Sequence, residues 1–286
     1  MIAGIVVLYE PDMERLYRIS GYCDKVDHLF IIDNSKEDNF DNANNAFHKD
    51  IQRYDNSRIS KEITYYHCQK NIGLCAALNF GMNAVREFGC DWSLLMDDDS
   101  TFGTNVVKAY TDLLNSSDIA VLAPVHLHDR SRAKTYDGIK EIKWAMTSGC
   151  LYNNEIFNKL GGFMEDLFVD GLDIDYCYRA IEKGYRVVEC GKASIIHHPG
   201  ETRDFKVLGK IIFKYGYASP WRYQMQCRSL IWTFLRYRHL EDLVMYGWKW
   251  VKTIIFFNEK CIYFRKMING TSEGWSLYKK YSSLKK

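Results

Sequence analysis

The sequence predicts an α/β fold on a mainly parallel mixed sheet, followed by a helical, basic and aromatic C-terminal appendage. Three observations lead there. Short β-rich apolar runs alternate with amphipathic stretches, the pattern of βα units. A polar cluster follows each of the first four runs. Charge also divides the chain: residues 1–202 hold 21 Lys+Arg against 31 Asp+Glu, whereas residues 203–286 hold 17 against 5, with 19 of the 42 aromatic residues. Two regions with different partners are expected, an α/β domain at 1–202 and a helical region at 203–286.

Strands are expected at residues 2–8, 29–32, 63–66, 93–96 and 120–123, with a further β-like run at 193–196. The first four end in Tyr9-Glu10-Pro11-Asp12, Asp33-Asn34-Ser35, Asn71-Ile72-Gly73 and Asp97-Asp98-Asp99-Ser100. Ligands of open α/β sheets bind outside the carboxyl ends of the strands, so these clusters should line one crevice. A helix is expected at 74–88, where Leu74, Leu78, Met82 and Val85 share a face and Gly89 can close the end. Another is expected at 173–183, with Tyr176, Cys177, Ala180 and Ile181 on one side and Gly184 ending it.

Composition removes several classes. At 286 residues with 47% hydrophobic content and 4 Pro, the chain is neither disordered nor collagen-like. The longest apolar stretches, at 5–8, 230–235 and 254–257, fall far short of the ~20 residues of a transmembrane helix. The apolar Met1 to Tyr9 segment runs into Glu10-Pro11-Asp12 without a basic n-region or a small-residue cleavage site, so it reads as a first strand and a cytoplasmic location is expected. Nine cysteines without a C-x-x-C pair argue against a disulfide framework or a structural zinc.

Three adjacent carboxylates after an apolar strand repel one another unless a positive charge joins them. Side chains alternate in extended chain, so Asp97 and Asp99 can address one ion while Asp98 turns away. Hard oxygen ligands select Mg²⁺ or Mn²⁺; a solvated acidic turn, or a helix cap at Asp99 or Ser100, is the competing reading. His197, at the end of the 193–196 run, offers a third ligand or a satisfied core histidine. Asn71-Ile72-Gly73 and Asn79-Phe80-Gly81 suggest a diphosphate cradle near a helix N-terminus, though such residues also build ordinary turns. Asp33 can meet a ribose or base edge, or cap the next helix, and Asp173 can be a helix N-cap or a general base.

Together these residues make the chain similar to inverting family 2 glycosyltransferases of the GT-A fold, most closely the bacterial rhamnosyltransferase branch. The resemblance spans about residues 2–200. It rests on Val6-Val7-Leu8-Tyr9-Glu10-Pro11-Asp12, Ile32-Asp33-Asn34-Ser35, Asn71-Ile72-Gly73, Met96-Asp97-Asp98-Asp99-Ser100, Thr147-Ser148-Gly149, Gly161-Gly162-Phe163 and Leu172-Asp173-Ile174-Asp175-Tyr176, in that order. It implies that Asp97, Asp99 and His197 hold the metal on a donor diphosphate and that Asp173 is the catalytic base. It further implies that Tyr9, Asp33, Asn71, Asp98 and Ser148 bind the nucleotide-sugar. Asp98 stands where rhamnosyltransferases commonly have Gln and matches galactofuranosyltransferases, whereas Leu172 replaces an acidic residue of the latter. Both dTDP-rhamnose and UDP-galactofuranose therefore stand as donors, with a glycan or lipid-linked acceptor in cell-surface polysaccharide synthesis.

The C-terminal region carries Trp221-Arg222-Tyr223, Trp248-Lys249-Trp250-Val251-Lys252 and Tyr263-Phe264-Arg265-Lys266. Basic and interfacial aromatic side chains suit an anionic membrane surface, so a peripheral position on the inner face of the cell membrane is expected. Part of the apolar stripe should pack on the catalytic core. No nucleic-acid partner is expected, since no recognisable module is present and the acidic crevice repels a polyanion. A noncatalytic scaffold on a retired transferase fold is the rival from another class; the joint presence of the acidic triplet, Asp173 and His197 speaks for an enzyme. A sugar nucleotidyltransferase would need a Gly-rich basic loop after the first strand, where Tyr9-Glu10-Pro11-Asp12 stands.

Overall fold

β1 (Ile2–Leu8) is a continuous apolar run, buried along nearly all its length, as expected of a central parallel strand covered on both faces. The computed structural model describes residues 1–47, 51–53, 62–130, 133–197 and 200–283, which divide into two compact units. One comprises Met1–Phe163 and Tyr176–Pro199, the other Met164–Asp175 and Gly200–Lys286. The segment before Tyr176 thus groups with the C-terminal region, which a linear division at 202/203 does not express.

In the first unit β1 is followed by α1 (Met13–Ser20), β2 (His28–Asp33), α2 (Phe40–Phe47), β3 (Ile51–Arg53), β4 (Ile63–His67), α3 (Leu74–Phe88) and β5 (Trp92–Asp97). Then come β6 (Thr101–Phe102), α4 (Val106–Tyr110), β7 (Ile119–Leu127), β8 (Ile139–Glu141), β9 (Cys150–Asn153) and α5 (Asn154–Leu160). α6 (Leu172–Glu182) leads into β10 (Arg186–Ile196). The strands line up as β3-β4-β2-β1-β5-β9-β7-β10-β6, with β8 also on β10. β1 pairs in parallel with both β2 and β5, whereas β9 runs antiparallel between β5 and β7. The sheet is therefore mixed and mostly parallel. The expected strands and helices form near their expected bounds, except that the run at 193–196 is the end of the longer β10, which starts at Arg186. Gly89 closes α3 at φ 84, where a side chain would be strained. Val6, Leu8, Ile31, Leu94, Met96 and Leu122 are among the residues of its core.

The second unit corrects the expectation of helix from residue 203 onward. β11 (Glu201–Val207) and β12 (Lys210–Tyr217) form an antiparallel hairpin. The reason is a two-residue alternation that brings Phe213, Tyr215 and Tyr217 to one face, where their rings meet Phe256 or Phe257. Three helices follow, α7 (Pro220–Tyr237), α8 (Leu240–Phe256) and α9 (Lys260–Ser283), around a core of Tyr223, Cys227, Phe257, Tyr263 and Met267. α9 approaches α7 at Gly270 and Gly274, where an added Cβ would lie 2.1 Å from the Gln224 carbonyl oxygen and 2.4 Å from that of Arg228. Among the described residues, no helix is long and apolar enough to cross a membrane. All nine cysteines are free thiols, and only Cys68 and Cys261 are not buried.

Candidate active site

Strand order reverses at β1: the chain passes outward to β2 on one side and later returns to β5 on the other. Such a switch point opens a crevice at the strands' carboxyl ends. Register brings the carboxylates there, with Val7 of β1 opposite Asp97 and Leu8 opposite Asp33. β4 lies next to β2 and runs the same way, so the loop carrying Asn71 emerges at the same end.

After β5 the chain turns through Asp98 and Asp99 into β6, which pairs antiparallel with the end of β10, Thr101 opposite Ile196. That short pairing brings His197 back to the acidic turn from nearly a hundred residues away. One ligand atom from each of Asp97, Asp99 and His197 lies within 4.8 Å of the others. His197 Nδ1 is 3.4 Å from Asp99 Oδ1, 4.0 Å from Asp97 Oδ2 and 2.7 Å from the buried Ser100 Oγ. Two carboxylates and one imidazole nitrogen converging in this way fit a small divalent cation, so this group could hold the metal.

The carboxylates and the imidazole also shift one another's protonation. Burial disfavours the charged form of Asp99, but the hydrogen bond and charge of His197 outweigh it and hold the carboxyl below its usual range. Burial likewise opposes imidazolium at His197, yet its bond to Asp99 and the charges of Asp97 and Asp99 raise its pKa. Asp98 turns aside, as strand alternation requires, and pairs with Arg15 at 3.3 Å. Burial pushes its carboxyl up, against the pull of Arg15.

Ser148 is fully buried beneath this turn, its hydroxyl accepting the Asp97 N–H at 3.0 Å. Gly149 beside it adopts φ 77, and a Cβ there would fall 2.3 Å from Ile195 Cγ1, so only glycine lets the floor pass so close to β10. Asn71 is exposed and braced: its Oδ1 accepts from Asn34 Nδ2 at 3.1 Å and from the Gly73 N–H at 2.9 Å, while Asn34 Oδ1 accepts the Ile72 N–H at 2.8 Å. Tyr9 is half exposed just beyond β1. Asp33 is fully buried, its carboxylate accepting from the Ser35 and Asn39 N–H groups and from the Tyr65 hydroxyl. It orders the loop after β2 from within.

Two sequence expectations need correction. Asn79 and Gly81 form no anion cradle, because they lie within α3: Asn79 exchanges hydrogen bonds with the Phe163 backbone, and a Cβ on Gly81 would meet Ile5 at 2.7 Å. Asp173 is not the helix N-cap either. The Gly171 carbonyl accepts the first helical bond, from the Asp175 N–H at 2.9 Å, which places Asp173 inside the first turn of α6, partly exposed.

In the second unit the residues flanking Asp173 are tied to the C-terminal helices. Asp166 accepts from Lys280 Nζ at 2.6 Å and Tyr281 at 3.0 Å, and Lys280 foremost holds that carboxyl below its usual range. Asp170 pairs with Arg222 at 2.9 Å, and its carbonyl accepts the Ser229 hydroxyl. Asp175 accepts from Trp232 Nε1 at 3.0 Å and Tyr237 at 2.8 Å. Local sequence signals do not point to Arg15, Tyr65 or Trp232, because each reaches its partner through the tertiary fold.

Residues 14–185 match the family described as glycosyl transferase family 2. The chain is 24% identical over 159 residues to the dTDP-rhamnosyl transferase RfbF of Shigella flexneri, covering 49% of this chain and 53% of that protein. It thus spans about half the length of that curated relative. Among solved structures, that of GalNAc-T7 with UDP, GalNAc and Mn²⁺ superposes with a TM-score of 0.57 at 9% identity, over 80% of this chain and 47% of that one. The S. aureus TarS structure gives 0.47 at 13% identity, over 82% and 39%. The chain has the GT-A-like fold and belongs to glycosyl transferase family 2.

Proposed function

We propose that this glycosyltransferase inverts the anomeric centre of L-rhamnose as it moves the sugar from dTDP-rhamnose to a lipid-linked glycan. The setting is cell-surface polysaccharide synthesis at the cytoplasmic face of an anionic membrane. The observation that carries the donor half is the convergence of Asp97, Asp99 and His197 on one small volume beside the β1 switch point. The curated relative's name supports rhamnose as the sugar.

In this reading a divalent ion, Mg²⁺ or Mn²⁺, supplies Lewis-acid neutralisation of the leaving diphosphate. Asp97, Asp99 and His197 would hold it, and Ser148 fixes the Asp97 backbone. The Asn34–Asn71 brace shapes the loop that receives the nucleotide, together with Tyr9, Asp33 and Asp98. Inversion is a single displacement, so one base suffices. Asp173 takes the proton of the acceptor hydroxyl while the diphosphate departs from the opposite face.

UDP-galactofuranose is the second donor reading, favoured by Asp98 in the middle of the acidic turn. The deciding experiment offers purified protein a donor panel and measures release of dTDP or UDP with and without Mn²⁺. Metal-dependent dTDP release, lost in Asp97→Asn and Asp99→Asn, is expected. Nucleotide affinity that ignores both the metal and the two substitutions would overturn the donor-site assignment, and UDP release alone would favour the second donor.

A further inference from the structure

α8 is built inside out. In a water-facing amphipathic helix the charged residues point outward and the apolar stripe is covered. Here Lys252 is only 8% exposed, its Nζ donating to the Gly216 carbonyl at 2.8 Å and lying 5.2 Å from the centre of the Tyr223 ring. Lys249 Nζ is engaged by Gln226 at 2.8 Å, and Asp242 and Thr253 are fully buried. The apolar side chains face out: Leu240 at 72% exposure, Val244 at 70% and Ile255 at 56%, with Trp248, Val251 and Ile254 between them. Their spacing of three and four residues draws one stripe along a helix of 17 residues, about 25 Å at 1.5 Å per residue.

The hairpin next to the end of α8 has the same character. Phe205 and Phe213 pack on Phe256. At the tip, Leu208 is 99% exposed and holds a left-handed φ of 49, a position where glycine or asparagine is ordinary. Ile211 and Ile212 are exposed beside it, interleaved with the exposed Lys206, Lys210 and Lys214. Apolar side chains bordered by cations, on elements too short to span, describe a surface that enters a bilayer interface without crossing it. The surplus of 17 basic over 5 acidic residues in 203–286 selects an anionic one.

We infer that the outward face of α8 and the β11–β12 tip form a monotopic docking surface for an anionic lipid bilayer. Apolar insertion comes from α8 and Leu208, and charge selection from the hairpin lysines. This rests on the membrane reading above and assigns it to particular side chains. It also corrects the sequence-level picture, in which Lys249 and Lys252 would meet the headgroups, since both are turned inward.

The test is flotation of the full chain with vesicles of phosphatidylcholine alone and of phosphatidylcholine mixed with phosphatidylglycerol, at low and high salt. Wild type should bind the mixed vesicles, less so at high salt. Val244→Glu with Val251→Glu should weaken that binding by on the order of a hundredfold, since two inserted side chains become charged. Melting temperature and metal-dependent nucleotide binding should stay unchanged, because both positions face solvent. Lys206→Glu, Lys210→Glu and Lys214→Glu together should erase the preference for anionic vesicles. Wild type that binds while the α8 variant binds equally well would overturn the inference and leave the membrane reading standing; wild type that binds neither vesicle would overturn both. A lipid-free dimer that the α8 substitutions convert to monomer would assign the face to a second copy of the chain and also overturn the inference.

Discussion

Ser148 and Asp97 lie 51 positions apart in the chain, and the buried Ser148 hydroxyl accepts the Asp97 backbone N–H at 3.0 Å. The end of β5, where the acidic turn begins, is thereby fixed to the loop beneath it. Ser148→Ala leaves that N–H without its acceptor, an expected loss of about 1–3 kcal/mol. Chemical denaturation should register the loss, and titration with Mn²⁺ and nucleotide should show a several-fold weaker site. Unchanged values in both measurements would remove Ser148 from the support of the turn.

At the metal group, Asp99→Asn removes an anionic ligand whose charge no water can replace, so metal-dependent nucleotide binding should fall below detection in calorimetry. His197→Ala removes a neutral ligand, and a water can fill its place. The alanine variant should retain measurable binding with a raised metal requirement. Equal effects of the two substitutions would contradict this ranking.

Asp173→Asn separates chemistry from architecture. Gly171 occupies the cap position, so the substitution should hardly move the melting temperature. It cannot accept a proton, and transfer to a competent acceptor should fall by about 10²- to 10⁴-fold. Nucleotide affinity should persist. Near wild-type transfer would direct attention to Asp170, whose carboxyl burial pushes up and whose partners include Arg222 and Lys249.

Trp232→Phe tests whether the C-terminal helices hold the start of α6. The indole N–H donates to the buried Asp175 carboxylate, and its loss should destabilise the fold by about 1.5–3 kcal/mol, the range for hydrogen bonds to charged groups. Tyr237→Phe removes a second donor to the same oxygen. The double variant should lose less than the sum of the singles if the two donors share one function, which a double-mutant cycle in denaturant will measure.

His28 sets an acid limit. It is buried against Phe30 and Phe88, shares a hydrogen bond with Thr64 at 2.9 Å, and burial pulls its pKa from 6.5 down to about 4. A folded-state pKa below the unfolded value means that the unfolded chain binds the proton more readily. Stability is therefore full above about pH 6.5 and declines as pH falls towards about 4. Melting temperature followed across that window should drop, and His28→Gln should flatten the slope. An unaltered slope would assign the acid sensitivity elsewhere.

Periodicity and strand-end chemistry sufficed for much of the first unit. Apolar runs of four to seven residues marked its central strands, and the position of Gly89 marked the end of α3. Alternation along extended chain is a backbone property, so it also foretold that Asp97 and Asp99 share a side while Asp98 departs. What the chain alone left open was which neighbours each residue would meet. Sequence offers Asp33 as a ligand group or a helix cap; that its carboxylate meets the Tyr65 hydroxyl and the backbone of Asn39 is decided by the fold. Asp173 reads as a cap until the Gly171 carbonyl is seen to accept the first helical bond.

The same limit applies at the far end of the chain. In sequence, α8 has apolar residues on one stripe and lysines on another, and helical periodicity is identical whichever stripe is buried. The aromatic cluster of Tyr223, Phe257 and Tyr263, with the Gly216 carbonyl beside it, gives Lys252 a hydrogen bond and ring faces, so its ammonium can be buried and the apolar stripe left outside. Local sequence determines the repeat of an element, because backbone geometry is local; the tertiary structure decides which side of it faces inward, because burial is settled by the partners that arrive from elsewhere in the chain.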